Sequence, residues 1–490
     1  MTSLPETVRT QALINGQFVA AENGAVFDNF NPATGQVLNQ IAACSAGDVD
    51  KAVQAARETF QAGVWSRLDP RERKRILLKF ASLLEQHTAE LAQLDSIDAG
   101  KPITDCENFD IPDVVNNVRW YAEAIDKVFG KVSPTGEGNL GLIVREPVGV
   151  VGMVLPWNFP AATLSWKISP ALAAGNSIVV KPAELASLST LRIGELALEA
   201  GIPAGVFNVV PGLGHVAGKA LGLHQDVDAL TFTGSTEIGR QFLRYSADSN
   251  LKKVVLECGG KSPQIIMPDV SENLDSIAEN LANAAFWNMG QNCTCGSRIL
   301  VHESIKDAFM VAFTKAAAIW KNGQPGDRAT KLGPMIEPSA LKRVLGAIEQ
   351  AVSEGGKLAL GGKQVLTESG GWFVEATIID QVTAEMTLAQ QEIFGPVVAV
   401  MTFSSEEEAV ALANNSEYGL AATVFANDIN VAIRMARQIQ AGTVAVNGYG
   451  EGDITTPFGG YKTSGFGGYD KGIEAFDQYT HVKTVWVSLS

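Results

Sequence analysis

The chain is poor in the two residue types that most often build cross-links and metal centres, with five cysteines and five histidines among 490 residues. An odd, sparse cysteine set (Cys44, Cys106, Cys258, Cys293, Cys295) excludes a disulfide framework and fits a reducing compartment. Cys293-Thr-Cys295 lacks the C-x-x-C spacing of redox and zinc motifs, and no two histidines stand at ligand spacing, so no metal site is expected. Positive charge is also short. There are 38 basic against 53 acidic residues, a net charge of −15, which argues against nucleic acid and anionic membrane surfaces as partners. Segment 1–19 has no basic start followed by an apolar stretch and carries Glu6, so neither a secretory signal nor a transit peptide is expected, and the location implied is cytoplasmic. One uncharged run, 147–166, is twenty residues and nominally spans a bilayer. Pro147, Pro156, Pro160 and Asn158 break it, so it reads as a strand, a loop and a helix start.

What is present is an ordinary globular balance, 46% hydrophobic and 19% charged, over a length that suggests two or three domains. From residue 148 onward, short apolar runs alternate with amphipathic stretches. Strands are predicted at 148–155, 177–180, 206–210, 228–233 and 253–257, with helices at 160–174, 189–200, 216–223 and 236–246 between them. This alternation implies right-handed crossovers and a parallel sheet. A second block has helices at 273–287, 305–320 and 406–414, and strands at 298–301, 397–403 and 421–425. Two α/β lobes follow. The terminal segment 479–488 alternates like an edge strand suited to pairing with another subunit, and 131–144 is a candidate companion hairpin.

Several constellations fall at predicted strand ends. Gly212-Leu-Gly214-His-Val-Ala-Gly218 nearly spells G-x-G-x-x-G, but the last glycine comes one residue late. Gly234-Ser-Thr-Glu-Ile-Gly239 marks a strand-to-helix turn able to receive phosphate, and is not a P-loop. Lys181 and Glu184 could serve ribose hydroxyls, or form a solvated pair. Cys293 sits on a loop just beyond a helix, with no histidine near it in sequence to act as base. Glu257, entering Gly259-Gly260, is the candidate base, though such a carboxylate also reads as part of a turn. Asn158, between two prolines, could donate to a developing oxyanion.

In this order, these segments resemble the aldehyde dehydrogenase superfamily over essentially the whole chain. The motifs that carry the resemblance are PWNFP at 156–160, KPAE at 181–184, FTGSTEIG at 232–239, LECGGKSP at 256–263, FWNMGQNC at 286–293, EIFGPV at 392–397 and PFGGYKTSG at 457–465. The resemblance implies an α/β fold of two doubly wound Rossmann-like lobes plus a small β oligomerisation flap. The expected division is 1–125 with 147–258 for the cofactor, 259–465 for catalysis, and 126–146 with 466–490 for assembly into a homodimer or homotetramer. It implies Cys293 as nucleophile, Asn158 with the Cys293 backbone N–H as oxyanion hole, Glu257 as base and Lys167 among the catalytic residues. For the cofactor, NAD with NADP possible, it implies Pro156, Trp157, Lys181, Glu184, Gly214, Gly218, Phe232, Gly234, Ser235, Glu392 and Phe394. A carboxylate at 184 favours NAD, because it repels a 2′-phosphate.

Substrate positions implied by the resemblance are Asp110, Asp113, Phe159, Trp166, Glu451 and Asp453, with Thr163 and Tyr449 alongside. Acidic groups between aromatic walls suit a cationic tail. The segment 117–127 and the EGD at 451–453 are similar to γ-glutamyl-γ-aminobutyraldehyde dehydrogenases of putrescine breakdown. The expected substrate is therefore an ω-aminoaldehyde of polyamine catabolism, such as γ-glutamyl-γ-aminobutyraldehyde or 3-aminopropionaldehyde. The alternatives are a betaine-aldehyde or broad aliphatic aldehyde dehydrogenase, and a binding protein on this fold that has lost catalysis.

Overall fold

The computed structural model describes residues 8–489; residues 1–7, part of the segment read for a leader, and Ser490 lie outside them. The first sheet orders its strands Gln17–Val19, Ala12–Ile14, Phe207–Val209, Ser177–Lys181, Val150–Val154, Ala229–Thr233, Lys253–Glu257 and Gly465–Phe466. The five strands from Phe207–Val209 to Lys253–Glu257 run parallel. Val150–Val154 is buried at every residue, as an unbroken apolar strand must be when helices cover both faces. Chain order reverses between Val150–Val154 and Ala229–Thr233. At such a switch point the loops leaving the two strands diverge and open a crevice.

The second sheet orders Lys357–Leu360, Thr377–Asp380, Val397–Phe403, Arg298–His302, Pro263–Ile266, Ala421–Phe425 and Thr443–Val446, all parallel except the first pair. In the third, Thr480–Ser488 pairs antiparallel with Asn139–Pro147, which pairs in turn with Lys131–Ser133. The terminal strand is thus an edge, with Val482, Val485 and Trp486 exposed. The uncharged run resolves into the strand Val150–Val154, a loop and the helix Pro160–Ala174, and among the described residues no helix is long and apolar enough to cross a membrane.

Local rules explain the helix that matters most to the site. Pro160–Ala174 starts with proline at its first position and stops at Gly175, whose φ of 101° is left-handed. The helix expected over 216–223 is divided into a wide π turn, Gly214–Gly218, and a short helix, Lys219–Leu223. Four helices that periodicity had not marked out, Ala46–Ala62, Pro70–Gln86, Thr88–Ala99 and Ile111–Ala124, cover the first lobe. The last three bury Phe80, Leu84, Leu91 and Tyr121 in one core with Leu164 and Ile168 of Pro160–Ala174, and Ala46–Ala62 buries Val49 and Val53 in a second.

Candidate active site

Carboxyl ends of the first sheet's strands and the loops entering the second sheet's strands meet around one cavity of about 1340 Å³. Glu257 ends the strand Lys253–Glu257 and is only 2% exposed. Among the described residues neither carboxylate oxygen has a hydrogen-bond partner. Burial, with Asp470 adding and Lys167 opposing, holds its pKa well above the ordinary carboxylate range. Register pairs Glu257 with Gly465, so the 457–465 segment is zipped directly onto it.

Cys293 reaches the cavity through a strained turn. The helix Leu274–Phe286 stops, and Asn288, Met289 and Gly290 take left-handed φ values of 51°, 58° and 64° in succession. Two glycines let the base-bearing loop approach this one. A Cβ on Gly260 would lie 2.4 Å from the Cys293 carbonyl oxygen, and one on Gly259 would lie 2.1 Å from Glu392 Oε2. Close approach, not a turn alone, is why glycine stands at 259 and 260. All five cysteines are free. Cys295 donates to the Ala285 carbonyl at 3.3 Å, and Cys258, which also lines the cavity, is buried with its thiol pushed up to about 12. Cys293 alone is half-buried. Burial raises its thiol pKa, and the charges of Glu451, Glu392 and Glu257 raise it further.

Asn158 leaves the strand end at the switch point. Its Nδ2 donates to the Gln291 carbonyl at 3.0 Å, which holds the amide beside the Cys293 loop. Its own carbonyl accepts from Lys101 Nζ at 2.9 Å and Asn288 Nδ2 at 3.1 Å. The amide is therefore fixed before any substrate arrives, as an oxyanion donor must be.

At the other end of the cavity Lys181 Nζ meets Glu184 Oε2 at 2.7 Å, and the Gly214 N–H donates to Glu184 Oε1 at 3.4 Å. Burial works to raise Glu184, but Lys181 and the Gly214 N–H hold it below the ordinary value. Ser235 caps the helix Thr236–Ala247, whose free N–H groups favour an anion. Glu392 Oε1 accepts from the Gly260 N–H at 3.0 Å, and burial raises its pKa to about 7. Phe394, at a φ of 56°, meets Trp157 edge to face at 5.4 Å. Ribose acceptors at both ends and a helix start between them fit a dinucleotide.

Towards the remaining mouth, Phe159 packs on Trp287 at 5.2 Å and Trp166 on Phe458 at 5.2 Å. Asp110 is buried and ion-paired with Lys101 at 3.0 Å. Asp113 Oδ2 accepts from Trp166 Nε1 at 2.6 Å. Thr294 Oγ1 donates to Glu451 and shares a 2.7 Å bond with Tyr449 OH, so Glu451 is anchored one residue from Cys293.

Of the residues expected at the site, four are placed elsewhere. Lys167 is fully buried behind the wall, bound to Asp470 at 2.7 Å and Thr231 at 3.0 Å. Gly218 closes the π turn against Phe242, away from the cavity. Asp453 is exposed and bound to Thr455, an Asx turn that uses its carboxylate locally. Tyr449 does not line the cavity; its OH bonds Thr294 Oγ1 at 2.7 Å and accepts from Asn292 Nδ2 at 2.8 Å, and all the others line it. Four residues beyond those expected join them: Trp287, Asp470 and Lys471 line the cavity, and Lys101 grips the Asn158 carbonyl. Lys471 matters most, because its Nζ lies 4.0 Å over the Trp166 ring, the seat expected for a substrate cation. Its one local signal is a glycine-rich run, 467–472, around a lone lysine.

The aldehyde dehydrogenase family model matches residues 18–485. The aminoacetaldehyde dehydrogenase of Pseudomonas aeruginosa is 50% identical over 480 residues, 98% of this chain and 96% of that protein. Two solved structures superpose throughout. The indole-3-acetaldehyde dehydrogenase AldA of P. syringae, in complex with NAD+ and IAA, is 47% identical with a TM-score of 0.97, covering 99% of this chain and 97% of its own. The γ-glutamyl-γ-aminobutyraldehyde dehydrogenase of Burkholderia cenocepacia is 48% identical with a TM-score of 0.96, covering 99% and 97%.

Proposed function

Because the chain belongs to the aldehyde dehydrogenase family, we propose that it is the cytoplasmic enzyme that oxidises an ω-aminoaldehyde of polyamine catabolism to the carboxylic acid. The protein is an NAD-dependent aldehyde-oxidising enzyme. Cys293 Sγ attacks the aldehyde carbon, and the Asn158 amide with the Cys293 N–H receives the oxygen as its charge grows. NAD, when bound, supplies a hydride acceptor. Loss of hydride from the reacting carbon leaves a thioester on Cys293, and Glu257 then takes a proton from the water that hydrolyses it. Lys181, Glu184, Ser235 and Glu392 would hold the dinucleotide. In the division of labour the first lobe serves the cofactor, the second carries Cys293, and the exposed apolar edge 480–488 serves assembly as a homodimer or homotetramer.

Replacing Glu184 with serine removes the carboxylate that opposes a 2′-phosphate and frees Lys181 Nζ from its 2.7 Å partner. The NADP-to-NAD ratio of kcat/KM is expected to rise by about 10-fold or more, in line with losing one close charge repulsion. An unchanged ratio in initial-rate assays would place the discrimination elsewhere.

The observation that carries the substrate reading is Glu451, a carboxylate fixed one residue from Cys293 where it faces the cavity. With NADH absorbance as the readout, 4-aminobutyraldehyde is expected to exceed butanal in kcat/KM. Glu451→Gln should remove the difference, whereas Asp453→Asn, outside the cavity, should preserve it. Equal efficiency for the two aldehydes in the unaltered enzyme would remove Glu451 as the reader of a free ω-ammonium.

A further inference from the structure

Lys471 is an unusual group to find in a substrate passage. It is 5% exposed, its backbone is held at a φ of 60°, and it lines the cavity. Buried ammonium groups normally have partners, because an unpaired charge out of water is costly. Among the described residues Lys471 has none within hydrogen-bond or ion-pair distance; its contacts are the faces of Trp166 at 4.0 Å and Phe458 at 5.5 Å. Asp113 stands on the same indole, taking the Trp166 N–H through Oδ2, while among the described residues its Oδ1 has no hydrogen-bond partner. The two opposite charges sense each other, yet they do not close into an ion pair. One tryptophan thus carries a cation and an anion, and both residues line the cavity.

We propose that Lys471 and Asp113 read the far end of the substrate: Lys471 receives a carboxylate and Asp113 the ammonium beside it, an α-amino-acid zwitterion joined to the aldehyde through an acylated amine. The inference rests on the reading of Cys293 and Asn158 as the reacting end. The helix Pro160–Ala174 provides the ruler. Phe159, Thr163 and Trp166 line one wall, and Trp166 comes two turns after Phe159, about 10 Å along the axis. An extended chain covers ~3.5 Å in three bonds, so the carboxylate belongs about nine bonds from the aldehyde carbon. A γ-glutamyl group on 4-aminobutyraldehyde has that length and carries both charges. Aminoacetaldehyde is far too short to reach.

Three aldehydes of one length test this: 4-aminobutyraldehyde acylated on nitrogen with γ-glutamyl, glutaryl (carboxylate kept, ammonium removed) or pentanoyl (both removed). In the unaltered enzyme kcat/KM is expected to fall in that order, with glutaryl about 10-fold or more above pentanoyl, as one buried charged hydrogen bond implies. K471M should bring glutaryl down to its own pentanoyl value, and K471R should restore the order. Asp113→Asn should narrow γ-glutamyl against glutaryl. If K471M lowers all three equally, or if the unaltered enzyme does not separate glutaryl from pentanoyl, the inference falls while the aldehyde chemistry stands. If none of the three nor 4-aminobutyraldehyde is oxidised, the proposed function falls with it.

Discussion

Cys293→Ala is expected to lower aldehyde turnover by on the order of 10⁴-fold or more while leaving NAD affinity within about two-fold, since the change removes the atom that bonds to the substrate. The size follows from what the rest of the site can still do. Asn158 stays locked by Gln291, and its carbonyl stays gripped by Lys101 and Asn288, so an oxyanion site remains without a nucleophile to use it. Cys258 does not substitute, because it is buried and its thiol is pushed up to about 12. Cys295 is committed to the Ala285 carbonyl. A thiol reagent should accordingly inactivate by labelling Cys293, located by peptide mass, with saturating NAD altering the rate. Full turnover after stoichiometric labelling of Cys293 would exclude the covalent route. Because the Cys293 thiol is raised by burial and by three carboxylates, the thiolate appears only as pH rises, and the labelling rate should increase towards alkaline pH.

Legibility in the sequence followed physical locality. The parallel strands were readable because burial on both faces forces continuous apolar runs, and 253–257, 397–403 and 421–425 form as expected. The helix 160–174 was readable from its proline and glycine ends. The four helices before residue 125 were not marked out, although Ser45 and Asp48 form a reciprocal cap at Ala46–Ala62 that announces a start. Their apolar faces are defined only by the lobe they cover. The same contrast holds at the site. Cys293, Glu257 and Asn158 sit on motifs whose local sequence marks a strand end or a strained loop. Lys471 and Asp470 are brought in from the chain's far end by the pairing of Gly465–Phe466 on Lys253–Glu257, a tertiary event with no local trace. Asp453 shows the reverse error: a carboxylate in the right loop, turned outward by a bond to Thr455 two residues on.

Glu257→Gln should separate the two halves of the reaction. The acyl-forming half needs Cys293 and Asn158, both untouched, so rapid mixing with NAD and aldehyde is expected to show a burst of one NADH per site. Hydrolysis needs a proton acceptor, and both oxygens of Glu257 are without a hydrogen bond among the described residues, so steady turnover should fall by ~10²–10⁴-fold. The pH behaviour follows from the direction of the shift. A carboxyl raised by burial and by Asp470 stays neutral, and useless as a base, until pH passes its elevated pKa, so hydrolysis in the unaltered enzyme should climb with pH. In the glutamine variant that climb should vanish from the steady state, while the burst rate keeps the rise owed to the Cys293 thiol. Stability gives an independent sign. A carboxyl whose pKa is higher folded than unfolded binds more protons in the folded state, so its ionisation erodes stability as pH rises from the unfolded value towards the folded one. Glutamine cannot ionise, and the variant should unfold no earlier than the parent at alkaline pH. A lost burst together with a lowered Tm would mean that Glu257 holds the site together; a full burst, stalled hydrolysis and an unchanged or higher Tm would mean that it handles the water's proton.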